Sequence, residues 1–150
     1  MKSTTVLILV DSNVILYSLD RVATEKRTRC AAWLSALTQA NSMTVSPQVC
    51  NETRSAAERK LKLPKEKAQA AALALLPWCT APLGPEEVRA AVAIETRWRT
   101  SWWDAVLLAS AVAARCTHFL SEDKQSAPVI EGVQIIDPFV VAPEDVLERA

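Results

Sequence analysis

The run Val6-Leu7-Ile8-Leu9-Val10, stopped abruptly by Asp11-Ser12-Asn13, constrains this chain more than any other stretch. Unbroken apolar residues without polar alternation read as a strand covered on both faces, the kind found at the centre of a parallel sheet. A carboxylate directly after such a strand stands where open α/β sheets bind their ligands, because the loops diverge there and leave a crevice. Asp11 serves equally well as a cap for the helix that follows it. A functional role for it requires other acids to converge on the same end of the sheet.

The remaining pattern alternates short apolar strands with helices. Residues 13–18 read as a short helix and residues 24–41 as a longer one, with Cys30, Trp33, Leu34 and Leu37 at helical spacing. Met43, Thr44 and Val45 form a second strand. Ser46-Pro47 then opens a helix to about Leu61, since serine caps and proline at the first helical position loses no needed hydrogen bond. Glu52 falls in its second turn. A further helix follows Pro64, residues 78–82 are extended and a candidate third strand, and residues 84–99 are helical. Thr100-Ser101 caps a helix over residues 102–114 that carries Asp104 in its first turn. Residues 116–120 and 134–136 are strands, Ser121-Glu122-Asp123 follows the first of these, and residues 143–148 close with a helical turn. This alternation predicts a three-layer α/β/α sandwich with a short, mainly parallel central sheet, in a single domain over residues 1–150.

Charge and composition exclude several classes. Seventeen basic and seventeen acidic side chains cancel, so any nucleic-acid binding must use a local patch rather than bulk charge. One dense basic run is present, Arg54, Arg59, Lys60, Lys62, Lys65 and Lys67, offset by Glu58 and Glu66; it reads either as a solvated helical face or as a phosphate-binding one. The four cysteines form no C-x-x-C pair and lie in apolar segments, as buried free thiols of a reducing compartment do. The apolar stretches are too short for a secretory signal or a membrane span, so a cytoplasmic protein with no membrane partner is expected. His118, the sole histidine, can build neither a zinc site nor a Ser-His-Asp triad, and two glycines provide no phosphate cradle.

In an α/β frame, Asp11, Glu52, Asp104 and Asp123 all follow strands or occupy the first turns of the helices after them. Four crowded carboxylates repel one another in a weakly polar crevice, so their convergence implies cations. Oxygen-only ligands suit Mg²⁺ or Mn²⁺, which keep waters and a substrate phosphate in their shell. Such ions activate water, align it with phosphorus and stabilise the leaving oxygen, which is phosphodiester hydrolysis.

The ordered motifs resemble those of PIN domains. They are Asp11-Ser12-Asn13 after a strand, Ser46-Pro47-Gln48-Val49 leading into Asn51-Glu52, Trp103-Asp104-Ala105-Val106-Leu107, and Leu120-Ser121-Glu122-Asp123-Lys124-Gln125. More closely the chain is similar to the VapC toxins of bacterial toxin–antitoxin operons, over nearly its whole length to Asp137-Pro138-Phe139. The resemblance implies a Mg²⁺-dependent endoribonuclease with Asp11, Glu52, Asp104 and Asp123 as its acidic quartet. Ser12 and Asn13 take the positions that orient the first acid, and Ser121 the hydroxyl position beside the last. It also implies a homodimer and a tight complex with a small antitoxin that blocks the groove and helps repress the operon. Ser12 stands where threonine is more usual and keeps the hydroxyl. Asp137 stands where asparagine often precedes Pro-Phe; it either adds charge near the site or has no role there.

Two aromatic features have both packing and functional readings. Trp98, Trp102 and Trp103 flank Asp104, and either pack or stack on unpaired bases with Arg97 and Arg99 on phosphates. Leu16, Tyr17, Trp33 and Leu37 either fill the core or leave an apolar surface for a partner. The rivals to a ribonuclease are a non-catalytic interaction module of the same fold, a DNA-directed nuclease, and a phosphotransfer enzyme with Asp11 as nucleophile. The last wants a second acid where Asn13 stands.

Overall fold

The fold is built outward from β1 (Ile8–Val10), whose three side chains are fully buried in the computed structural model. The structure describes residues 5–122 and 128–147. Asp123 lies outside them. β1 lies between β2 (Met43–Thr44) and β3 (His118–Leu120) and is parallel to both. β5 (Val133–Ile136) continues the sheet parallel to β3, and β4 (Val129–Ile130) closes the edge antiparallel to β5, giving the order β2-β1-β3-β5-β4. A strand hydrogen-bonded on both sides and covered on both faces needs apolar residues at every position, as the Val6 to Val10 run supplies.

Seven α-helices among the described residues flank the sheet: α1 (Ser12–Leu19), α2 (Thr24–Gln39), α3 (Pro47–Arg59), α4 (Lys65–Ala74), α5 (Pro85–Trp98), α6 (Trp102–Ala113) and α7 (Pro143–Leu147). This is the expected three-layer sandwich. The helices that matter for the site start where the sequence places caps. The Asp11 carboxylate accepts from the Ser12 N–H, Ser46 Oγ from the Val49 N–H with Pro47 at the first helical position, and Ser101 Oγ from the Asp104 N–H. α6 is buried continuously from Ala105 to Ala111 and packs on β3, β5 and α5; its small and aliphatic residues let it lie close to the sheet. Among the described residues no helix is long and apolar enough to cross a membrane.

The structure corrects one expectation, adds a strand and decides between the two readings of the apolar helix residues. Residues 78–82 do not form a strand: a 3₁₀ turn (Leu76–Trp78) precedes a single parallel bridge between Val45 and Cys79, because Pro77 and Pro82 remove the donors a ladder would need. β4 is an added strand, joined to β5 by a two-residue turn in which Glu131 (φ 50°) and Gly132 (φ 82°) are both left-handed, the geometry that matches strand twist. Trp33 and Leu37 are buried and Tyr17 packs edge-to-face on Phe139, with centroids 5.5 Å apart, so these helices leave no broad apolar surface there. Exposed aliphatic side chains instead include Leu73 on α4, Leu76 in the 3₁₀ turn after it, and Val88 and Val92 on α5.

The cysteines are free, as the composition predicts. Burial pushes the thiols of Cys30 and Cys50 up to about 11 and that of Cys116 to about 12, so they act as small apolar groups. His118 is structural: its Nδ1 lies 2.7 Å from Thr117 Oγ1, and burial lowers its pKa.

Candidate active site

The parallel register places the first acid. Val10 pairs with Leu120, the Asp11 N–H donates to the Leu120 carbonyl at 3.0 Å, and the chain leaves β1 and β3 side by side. Asp11 and Ser121 therefore meet, with Ser121 Oγ donating to Asp11 Oδ2 at 2.8 Å. Asp11 is only 4% exposed, and its Oδ1 accepts from the Ser12 N–H at 2.7 Å. Asn13 braces the same junction, donating from Nδ2 to Ser121 Oγ at 3.2 Å and accepting the Glu122 N–H at 3.5 Å. Ser12 and Ser121 thus contact Asp11 directly, and Asn13 reaches it only through Ser121.

Glu52 arrives from α3. Ser12 Oγ donates to Glu52 Oε2 at 2.9 Å and lies 3.4 Å from Asp11 Oδ1. One hydroxyl has one proton, so the shorter contact takes it, and two carboxylates are pinned across a single oxygen. Their repulsion is the feature that a cation in the cleft would relieve. The other oxygen of Glu52 is held by a residue that sequence reasoning missed. Gln48 Nε2 donates to Glu52 Oε1 at 2.8 Å and to the Trp103 carbonyl at 3.4 Å. Both neighbours are acceptors, which fixes the amide orientation. Gln48 thereby ties α3 to the first turn of α6, and the i, i+4 spacing from Gln48 to Glu52 is the signal that could have found it.

Asp11, Glu52 and Asp104 line one cleft of about 430 Å³. Ser12, Asn13, Trp103, Arg59 and Lys60 also line it. Asp123 follows Ser121 by two residues and lies outside the described residues. The donor set in the cleft is oxygen from carboxylates and a hydroxyl, which fits a hard divalent cation. Among the described residues no three carboxylate, thiol or imidazole groups are already close enough to cage an ion by themselves.

The basic residues divide. Arg59 and Lys60 face the cleft. Arg54 sits on a neighbouring face of α3 in a 2.5 Å ion pair with Glu58, whose carboxyl pKa it lowers. Lys62 is not helical but lies in the α3–α4 link with a left-handed φ of 59°, away from the cleft lining. Arg97 and Arg99 are also not among the residues lining the cleft. Arg97 lies 3.6 Å from Glu131 and over the Trp98 ring, and Arg99 is the left-handed cap that ends α5. Asp137 has a structural role, its Oδ1 accepting the Phe139 N–H at 2.8 Å in the turn after β5.

A mainly parallel sheet with Asp11, Glu52 and Asp104 gathered in one cleft defines an α/β protein with a carboxylate-lined cleft. The PIN domain family profile matches residues 8–129, and the chain belongs to the PIN domain family. Comparison with curated proteins found no match. Among solved structures, the fold is similar to a chain of the VapBC2 complex from Rickettsia felis bound to a DNA fragment from its promoter. That alignment has a TM-score of 0.62 and 13% identity, and covers 87% of this chain and 98% of the other. A chain of a toxin–antitoxin complex from Klebsiella pneumoniae aligns with TM-score 0.62, 19% identity and 89% and 99% coverage. DNA-bound VapBC from Salmonella typhimurium aligns with TM-score 0.62, 14% identity and 89% and 98% coverage.

Proposed function

We propose that this protein is a divalent-metal-dependent endoribonuclease acting in the cytoplasm as the toxin of a toxin–antitoxin pair, a homodimer held in check by a small antitoxin. One observation carries the chemistry: Asp11, Glu52 and Asp104 converge on a single cleft that also presents Arg59 and Lys60. PIN membership supports phosphodiester hydrolysis, and the similar fold of chains from toxin–antitoxin complexes supports a protein partner.

Asp11, Glu52 and Asp104, with Asp123 as the fourth acid, would hold Mg²⁺ or Mn²⁺. Such an ion supplies Lewis acidity toward the phosphate and activation of the attacking water. The protein's own part is positioning. Ser12 and Ser121 hydrogen-bond Asp11, Ser12 and Gln48 do the same for Glu52, and Arg59 and Lys60, which line the cleft, would bind flanking phosphates. Partners that orient ligands typically contribute 10- to 100-fold to metal affinity or activity. Gln48→Leu is accordingly expected to lower cleavage by about 10- to 100-fold and to weaken Mn²⁺ binding, with the fold unchanged by circular dichroism. Wild-type cleavage and Mn²⁺ affinity in this variant would remove Gln48 from the site.

The decisive experiment is cleavage of total cellular RNA by purified, antitoxin-free protein with Mg²⁺ or Mn²⁺, alongside EDTA. Discrete fragments that vanish with EDTA are expected. A substrate whose 2′-hydroxyls are replaced separates an RNA-directed from a DNA-directed enzyme. Lys60 and Lys62 supply an internal comparison. Lys60→Ala should flatten the logarithmic salt dependence of single-stranded RNA binding by about 0.7, one phosphate contact, while Lys62→Ala leaves it unchanged. Equal slopes in the two variants would overturn the assignment of Lys60 to the substrate path.

A further inference from the structure

We propose that Trp103 is a stacking platform for an unpaired base beside the scissile phosphate; this rests on the nuclease reading above. The three tryptophans near Asp104 have different fates. Trp98 is half-buried and donates from Nε1 to Glu131 Oε1 at 2.9 Å, and Trp102 is half-buried against the core. Trp103 is 63% exposed, the one aromatic among the exposed large hydrophobic residues described, and it lines the carboxylate cleft. A tryptophan carries a large apolar surface whose burial stabilises a fold, so leaving most of it in water forgoes that gain. Its backbone is nevertheless held in place. Gln48 holds its carbonyl, Ser101 caps the turn that contains it, and the helix continues into the buried stretch from Ala105.

The cleft therefore combines an exposed indole from α6, carboxylates from the β1–α1 junction, α3 and α6, and cations from the end of α3. Aromatic faces joined to a cationic track are how proteins bind single strands without strong sequence preference, since every base has a π-face. Paired bases are stacked on each other and present no free face to such a ring. An indole immediately before Asp104 in the chain thus selects for an unpaired base next to the reacting phosphate.

The test uses full-length protein carrying Asp11→Asn, so that RNA is bound but not cut, with and without Trp103→Ala or Trp103→Phe. The probes are a short mixed-sequence single-stranded RNA, a series of the same RNA with one abasic ribose at each position, and its duplex. Trp103→Ala is expected to weaken single-strand binding by about 5- to 150-fold, the range of one base–aromatic stack, with phenylalanine restoring most of it and duplex binding unmoved. Removing the base at one position should cost a similar factor with Trp103 present and nothing further with alanine. Equal abasic penalties in both backgrounds, undiminished binding by Trp103→Ala, or no single-strand binding at all would overturn the proposal, and a protein partner would then be the occupant left for this surface. Base-dependent coupling in a protein whose Asp11 form cuts no RNA would retain the platform and reject the nuclease. Cleavage without coupling would do the reverse.

Discussion

Asp11→Asn is expected to fold and to lose cleavage by well over the roughly 100-fold that removing a mere supporting partner costs. The substitution is close to isosteric, so the cap survives: an asparagine oxygen can still accept the Ser12 N–H that Asp11 Oδ1 accepts at 2.7 Å. The other carboxylate oxygen becomes an NH₂ facing Ser121 Oγ, and the charge-assisted bond there is exchanged for a neutral one. Stability should fall by about 1–3 kcal/mol, visible as a lower urea midpoint with an unchanged slope. The activity loss is larger because the charge itself is removed. Asp11 and Glu52 are pinned across Ser12 Oγ, and two negative charges at that spacing attract a divalent ion far better than one. Single-turnover cleavage and Mn²⁺ titration of the folded variant check this. Cleavage near the wild-type rate would mean that the reaction occurs elsewhere, whatever the cleft looks like.

The sheet's centre was legible because it depends on a local signal. An unbroken apolar run specifies a strand buried on both faces, and β1 is that strand; Ser46-Pro47 and Thr100-Ser101 mark helix starts by cap chemistry, and α3 and α6 begin there. Once those starts and a parallel sheet are granted, Asp11 and Glu52 fall at one end of it; Asp104, on a helix that follows another helix, is brought there by the packing of α6 on β3 and β5. What the sequence could not show is rotation about helices and the path of links. Arg54, Arg59 and Lys60 look equivalent in a basic run, yet one turns to Glu58 and two face the cleft. Lys62 leaves α3 altogether through a left-handed residue that no residue type in that stretch announces. β4 escaped because its turn uses Glu131-Gly132 rather than asparagine or aspartate with glycine, so its first left-handed residue gave no signal. Gln48 stands in a recognisable motif, yet an amide's value depends on what lies across the interface, here the carbonyl of Trp103.

The largest stability effect is expected far from the acids, at Trp33 on α2. Its side chain is fully buried, and its Nε1–H is shared between the carbonyls of Pro138 and Val141, each at 3.1 Å. Arg29 Nε donates to the same Pro138 carbonyl at 2.7 Å, so α2 holds the turn that leaves β5. Trp33→Ala empties a large volume and orphans the Val141 carbonyl, and should cost about 3–5 kcal/mol, a large share of the roughly 5–15 kcal/mol that holds a typical domain. Trp33→Phe keeps much of the packing but loses the donor, with an expected cost of about 1–3 kcal/mol. Urea unfolding of both variants separates the contributions: equal costs would mean that the hydrogen bond, not the packing, dominates. The link to function runs through the sheet. The Ser121 N–H donates to the Ile136 carbonyl of β5 at 3.0 Å, and Ser121 Oγ holds Asp11. Loosening the turn after β5 therefore acts on the site through unfolding rather than through any contact with substrate. Trp33→Ala should lose cleavage in parallel with its folded fraction as urea or temperature rises, while the molecules that remain folded keep a near wild-type rate.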